Sequence, residues 1–274
     1  MSFGKGSRVI VDAAWVAAHV TDPDVRLVEL DVSRTAYDAG HIPGAVLWNA
    51  YTDLRDPGYR AIGRPELERL LSRSGIAPGS TVVFYGYGAA LGLWLMQAHG
   101  HADARMLSGS RDQWTRAGGE WSTDVPQPLE SAYALDDASA DSLSTRADAE
   151  AAIGAAGRVL LDVRSEAEYS GERFWPSGAT ADAGRAGHIP GAISVPIDRL
   201  CNDDDTFKPA TELRRVLDEA GVSGGMRVIA YCTIGNRASR AWFALRHVLG
   251  YPDVSVYYGS WVEWGKEEGT PVET

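Results

Sequence analysis

A chain of 274 residues exceeds the usual size of one domain, so two domains of about 120–130 residues each are expected. Its 45% apolar content suffices for two cores, and its net charge of −11, from 26 basic and 37 acidic residues, argues against nucleic acid as a partner. An anionic substrate would need a local positive site to offset that overall field.

The first ten residues hold no long apolar stretch, and no run of about 18 apolar residues occurs anywhere. A membrane is therefore not an expected partner, and the cytoplasm is the expected compartment. Two cysteines, Cys201 and Cys232, are too few for a disulfide framework. No CxxC pair or HExxH motif is present and the six histidines are scattered, so no metal is expected.

In chain order, the first apolar run is Val25-Arg26-Leu27-Val28-Glu29-Leu30, closed by Asp31-Val32. His41-Ile42-Pro43-Gly44-Ala45 follows, then Thr81-Val82-Val83-Phe84-Tyr85, then Ser108-Gly109-Ser110 with Trp114. Residues 124–144, with Pro126, Pro128 and several Asp and Ser, read as an interdomain linker. The series then recurs. Val159-Leu160-Leu161 is closed by Asp162-Val163, and His188-Ile189-Pro190-Gly191-Ala192 comes next. Arg227-Val228-Ile229-Ala230-Tyr231 and Tyr258-Gly259-Ser260 with Trp264 complete it. His41 and His188 lie 147 residues apart, and Tyr85 and Tyr231 lie 146 apart, the even spacing of an internal repeat.

Both copies alternate short β-branched runs with helical patterns. One such helix covers residues 210–220, with Leu213, Val216, Leu217 and Ala220 on one face. The expected fold is α/β: two tandem domains over residues 8–123 and 145–270, each a mainly parallel sheet flanked by helices.

Val228-Ile229-Ala230-Tyr231 has the composition of a buried parallel strand, and Cys232 stands at its C-terminal end. Thr233-Ile234-Gly235-Asn236-Arg237 come next, and residues 238–249 have helical character with apolar Ala241, Trp242, Leu245, Val248 and Leu249. Open α/β sheets bind ligands at such strand ends. The loop N–H groups and the helix start would converge on the sulfur, favour its anion and cradle a bound one. A single cysteine in this position is ordinarily an inert buried thiol. Here Gly235 permits a tight turn, Arg237 adds a positive charge at the rim, and a helix begins at once. Together these features describe an activated thiolate.

Cys232-Thr233-Ile234-Gly235-Asn236-Arg237 resembles the Cys-x-x-Gly-x-Arg/Thr active loop of rhodanese-family sulfurtransferases. Residues 37–45, Tyr37-Asp38-Ala39-Gly40-His41-Ile42-Pro43-Gly44-Ala45, resemble that family's N-terminal signature. Residues 257–264, Tyr257-Tyr258-Gly259-Ser260-Trp261-Val262-Glu263-Trp264, resemble its C-terminal signature, with Tyr258 where an acidic or small residue is common. The three motifs stand in the family's order and span nearly the whole chain. The resemblance implies a catalytic cysteine in the second domain only. Gly86 occupies the Cys232 position in the first copy and Tyr87–Leu91 lacks a counterpart of Arg237, so the first domain is expected to be silent.

The implied chemistry is a two-step displacement. Cys232 takes a sulfur atom from a small-molecule donor as a persulfide and passes it to a thiophilic acceptor, cyanide or a thiol. The backbone of Thr233, Ile234, Gly235, Asn236 and Arg237 would hold the persulfide's charge, and no cofactor is implied. Thiosulfate and 3-mercaptopyruvate are the donors that the resemblance offers. Ile234 stands where the mercaptopyruvate branch has a serine, and Arg237 would suit a dianion such as thiosulfate. Trp48-Asn49-Ala50-Tyr51-Thr52-Asp53-Leu54-Arg55-Asp56-Pro57 also looks like bacterial thiosulfate enzymes, whereas neutral Thr233 replaces a residue that is often basic there. Thiosulfate is the expected donor. The alternatives are 3-mercaptopyruvate and a non-enzymatic persulfide relay or interaction module. Related phosphatases have five residues between Cys and Arg; only four separate Cys232 from Arg237.

Arg185, shortly before His188, is a candidate second cation at the pocket. Its other reading is a solvated residue of the loop over 178–187. His41 and His188 are expected to hold turns rather than act as bases. Asp162 and Arg164 are expected to pair at the strand end with Glu168 nearby. Cys201, beside the acidic run Asn202-Asp203-Asp204-Asp205, is expected to be incidental, and Trp242, Trp261 and Trp264 to be packing residues.

Overall fold

The computed structural model describes residues 9–137, 141–178, 183–204 and 206–274. The expected domain start at Arg8 and the residues before it, linker residues 138–140, part of the 178–187 loop and Asp205 lie outside the described residues. The chain divides into two compact units between residues 138 and 139.

In the first unit the strands are β1 (Ile10–Val11), β2 (Val25–Asp31), β3 (Val46–Asn49), β4 (Thr81–Tyr85) and β5 (Ala104–Leu107). All pair in parallel in the order β1-β5-β4-β2-β3. The helices between and after them are α1 (Ala13–His19), α2 (Thr35–Ala39), α3 (Arg64–Arg73), α4 (Ala89–Ala98) and α5 (Ser110–Arg116). In the second unit β6 (Leu143–Ser144), β7 (Arg158–Asp162), β8 (Ile193–Ser194), β9 (Arg227–Tyr231) and β10 (Val254–Tyr257) repeat that order as β6-β10-β9-β7-β8, again all parallel. Its helices are α6 (Arg146–Glu150), α7 (Glu166–Tyr169), α8 (Ala210–Glu219), α9 (Asn236–Phe243) and α10 (Ser260–Trp264). Two five-stranded parallel sheets flanked by helices make this the expected α/β architecture.

The middle strands β4 and β9 are buried after their first residue, as their β-branched and aromatic content requires of a strand covered on both faces. Helix α8 lays Leu213, Val216 and Leu217 inward, as its 3.6-residue period dictates. Helix α9 starts at Asn236, two residues before the sequence pattern suggests, because Gly235 adopts a left-handed conformation at φ +89° and turns the chain directly into the helix. It then widens into one π turn over Ala244–Val248.

The His-Ile-Pro-Gly-Ala segments are structural turns in both units. His41 stacks on Tyr37 at 3.8 Å and His188 on Tyr169 at 3.7 Å. The Tyr85 hydroxyl accepts the Ile42 amide at 3.1 Å, and that of Tyr231 accepts the Ile189 amide at 3.2 Å. His188 follows Tyr169 by 19 residues where His41 follows Tyr37 by 4, so the second unit carries an insertion at this point.

The strand register revises the repeat in one place. Glu29 pairs with Tyr85 and Asp162 with Tyr231, so the counterpart of Asp162 is Glu29 and not Asp31. Each carboxylate meets a guanidinium that also donates to the glycine carbonyl preceding the histidine. Arg111 Nη1 lies 2.7 Å from both Glu29 oxygens and its Nη2 2.6 Å from Gly40 O. Arg164 Nη2 lies 2.6 Å from Asp162 Oδ2 and 2.7 Å from Gly187 O. One cation comes from α5, the other from the residue two places beyond Asp162, yet both close the same clamp.

The stretch expected as an interdomain linker mostly binds the first unit. Leu135 is buried, its amide donates to Glu68 at 2.9 Å, the Ser131 amide donates to Ser72 O at 3.1 Å, and Arg64 reaches Asp137 at 2.8 Å. At its other end, Leu143 and Ser144 form β6. An apolar residue and satisfied backbone groups make it a strap.

Both side chains of the Asp162–Arg164 pair are fully buried. Replacing Asp162 with Ala leaves the guanidinium uncompensated in the interior, and should cost the second unit about 3–5 kcal/mol in urea unfolding. The double replacement Asp162→Ala/Arg164→Leu should cost clearly less than the two single losses added together.

Candidate active site

Cys232 follows β9 directly, at the C-terminal edge of the middle strand of the second sheet. Its residue is 1% exposed, and its sulfur accepts the Gly235 N–H at 3.1 Å. Gly235 can aim its amide back at the sulfur because it takes the left-handed conformation, which is costly for a residue with a side chain. The amide of Asn236 stands at the first position of α9, where the helix itself offers no acceptor, and that of Thr233 precedes it in the loop beside Cys232. The Asn236 side chain is 3% exposed, and neither its Oδ1 nor its Nδ2 has a partner among the described residues.

The C-terminal signature holds the loop from behind. Ser260 Oγ accepts the Cys232 amide at 3.3 Å, while the Trp261 amide donates to Cys232 O at 2.9 Å and that of Val262 to Thr233 O at 3.0 Å. Ser260 itself takes φ +55°, backbone strain at the residue that caps the cysteine amide.

Glu168, at the third position of α7, ties the loop from the side. Its carboxylate accepts Arg237 Nη1 and Nη2, each at 2.8 Å, and the Thr233 hydroxyl at 2.7 Å. Thr233 Oγ1 in turn accepts Arg237 Nη2 at 2.7 Å. The Ser165 amide and hydroxyl complete the set at 3.1 and 2.8 Å, in a capping box. Burial by itself raises the Glu168 carboxyl, but the hydrogen bonds and charge of Arg237, with the Thr233 hydroxyl and Ser165 amide, outweigh it and hold the group at about 2. Sequence reading put Glu168 near the strand end without giving it this place. The Ser165–Glu168 capping spacing was the available signal.

The expected site residues thus fall into two places. Thr233, Ile234, Gly235, Asn236 and Arg237 surround Cys232 as one loop, but both terminal nitrogens of Arg237 turn to Glu168. Arg185 serves the C-terminal segment: its Nη1 donates to Thr270 O at 2.6 Å and its Nη2 to Trp264 O at 3.2 Å. Its own carbonyl accepts Trp261 Nε1 at 3.1 Å, so it braces the helix that backs the loop. Cys201 is buried against Arg240, whose Nη2 lies 3.1 Å from its sulfur. Trp242, Trp261 and Trp264 are all buried packing residues.

The corresponding loop of the first unit is built differently. Gly86, at φ +92°, donates to Ser110 Oγ at 2.7 Å, and the Gly88 amide donates to Leu30 O at 2.7 Å. A Cβ at Gly86 would lie 2.7 Å from the Leu30 carbonyl oxygen, too close for any side chain. Leu91 takes the place of Arg237 within the wholly apolar buried face of α4.

The chain belongs to the rhodanese family of sulfurtransferases: the rhodanese-like domain matches residues 12–117 and again 145–267. Over 275 residues it is 41% identical to a Haloferax volcanii protein named "Putative thiosulfate sulfurtransferase", covering 97% of this chain and 96% of that one. It is 38% identical over 273 residues to the sulfur carrier protein TtuD of Thermus thermophilus, 96% of each chain. Among solved structures, the anaerobic ergothioneine biosynthesis enzyme from Chlorobium limicola, in complex with trimethyl histidine, matches with a TM-score of 0.86 at 29% identity, over 97% of this chain and 70% of that one. An EanB variant solved as a cysteine persulfide with ergothioneine gives the same TM-score of 0.86. No helix among the described residues is long and apolar enough to cross a membrane.

Glu168 is held below its ordinary value of 4.5, so its ionised form stabilises the fold above that pH, and the contribution is lost as the pH falls toward about 2. The shift corresponds to about 3 kcal/mol. Urea unfolding should show native protein and Glu168→Gln differing most near neutral pH and converging between pH 4.5 and about 2. In the first unit, Gly86→Cys should lower stability. Combined with Cys232→Ser, it should restore no uptake of sulfur from thiosulfate on intact-mass analysis.

Proposed function

We propose that the chain is a thiosulfate sulfurtransferase that works through a persulfide on Cys232, with the first unit catalytically silent. The Gly235 amide directed at the Cys232 sulfur carries this reading. The Cys232 thiolate attacks the outer sulfur of thiosulfate. The S–S bond of the donor breaks, its electron pair leaves with sulfite, and the transferred sulfur keeps one negative charge on Cys232. In the second step a nucleophile such as cyanide attacks that outer sulfur and the pair returns to the Cys232 thiolate, giving thiocyanate. No net oxidation occurs and no cofactor enters.

The backbone does most of what this chemistry asks. Gly235 N–H stabilises the attacking sulfur, and the amides of Thr233, in the loop, and Asn236, at the helix start, are suited to the charge on the outer sulfur once it is bound. Arg237 contributes by way of Glu168 and Thr233, which keep the loop closed around the sulfur. The names of the relatives favour thiosulfate as donor. The similarity to TtuD supports a second reading, in which the sulfur on Cys232 passes to the thiol of another protein instead of a small molecule.

Treatment with thiosulfate should add one sulfur to the native chain and none to Cys232→Ser, read by intact mass. Sulfur retained in that variant would defeat the assignment. With cyanide as common acceptor, turnover should be faster with thiosulfate than with 3-mercaptopyruvate, and the reverse order would assign the other donor.

A further inference from the structure

We infer that Glu168 is a positioning and selectivity residue of the sulfur loop. It cancels the charge of Arg237, so that Cys232 works in a cradle of neutral dipoles and not beside a free cation. This inference rests on the reading that Cys232 is the reacting thiol.

Three observations lead there. First, the carboxylate is fully buried and Arg237 is 13% exposed, and the two meet through a pair of 2.8 Å hydrogen bonds, the bidentate geometry in which a guanidinium is most completely used. Second, the pair is anchored within the loop itself. Thr233, next to Cys232, donates to Glu168 and accepts from Arg237, so one carboxylate joins the two ends of the loop around the sulfur. Third, α7 presents Glu168 through its own capping box, so the carboxylate is held in place even apart from the loop.

The consequence is electrostatic. A free guanidinium at the end of this loop would bind a dianion tightly before the reaction and would also retain the sulfite dianion afterwards. With Glu168 ionised, the pair sums to zero, and selection among donors falls to amides whose grip is weaker and shorter in range. Glu168 acts on the reacting atoms only through Arg237 and Thr233.

The test uses two alkylating reagents of nearly the same shape and different charge, iodoacetate and iodoacetamide, on the full chain. Their rate ratio at Cys232 reports the local charge. It needs no sulfur donor, so it decides this inference even if thiosulfate proves not to be used. Glu168→Gln should raise the iodoacetate-to-iodoacetamide ratio by about 3- to 10-fold at low salt, and the rise should shrink in roughly 1 M salt. Adding Arg237→Gln to that variant should return the ratio to within about twofold of native. Thr233→Val removes a hydrogen bond and no charge, and should change both rates by the same factor. A ratio that stays native in Glu168→Gln would overturn the inference. Should that variant fail to fold, Arg237→Gln alone must lower the ratio by a similar factor, and an unchanged ratio there overturns it equally.

Discussion

The sulfur chemistry proposed for this chain depends on how four residues cross the gap between a buried strand and a helix. Between Cys232 and Arg237 the backbone must reverse tightly enough for the Gly235 amide to point back at a sulfur 3.1 Å away. A glycine in the left-handed region makes that reversal, and the next residue is already helical. Everything around the loop serves to hold that one curve. Helix α10 supports it through Ser260, Trp261 and Val262, and α7 closes it through Glu168. The strain at Ser260 is tolerated because the surrounding hydrogen bonds over-determine its position.

Each unit solves the same packing problem with different residues. Each parallel sheet of five strands carries a polar anchor on β2 or β7 beneath the histidine turn. A carboxylate, a tyrosine hydroxyl and a guanidinium supply it in both cases. The carboxylate and tyrosine keep their register positions, and the cation does not. Geometry is shared here while sequence position is free, because a long arginine side chain can reach one point from two backbones. Arg111 also lies over Trp121, and Arg164 over Trp261, at 4.3 and 4.4 Å, so each cation is covered by an aromatic face.

The fold was largely legible because its signals are local. The runs ending at Tyr85 and Tyr231, the paired histidine turns and the period of α8 all follow from residue type and spacing. The loop around Cys232 was legible for the same reason. What escaped depends on contacts distant in sequence. The partner of Arg237 is 69 residues away, and no spacing rule links them. Nearness to His188 makes Arg185 either a second cation at the pocket or a solvated loop residue, yet its hydrogen bonds lie about 80 residues on, at Trp264 and Thr270. The strand ends were matched by their Asp-Val pairs, whereas the sheet aligns them by the tyrosine that each carboxylate must meet. Leu135 and Ser131 dock a segment whose composition says only that it links two domains.

The displaced cation limits how far the halves can be exchanged. A chimera that grafts the α10 segment into the place of α5 would carry Trp261 where Arg111 stands, and would strand Glu29 without a counter-charge. The reciprocal graft would set Arg111 beside Arg164, two guanidinium groups competing for one aspartate. Two domains of identical topology are therefore not modular at this level. The sheet order is common to both halves, while the electrostatic keying of each half is private to it.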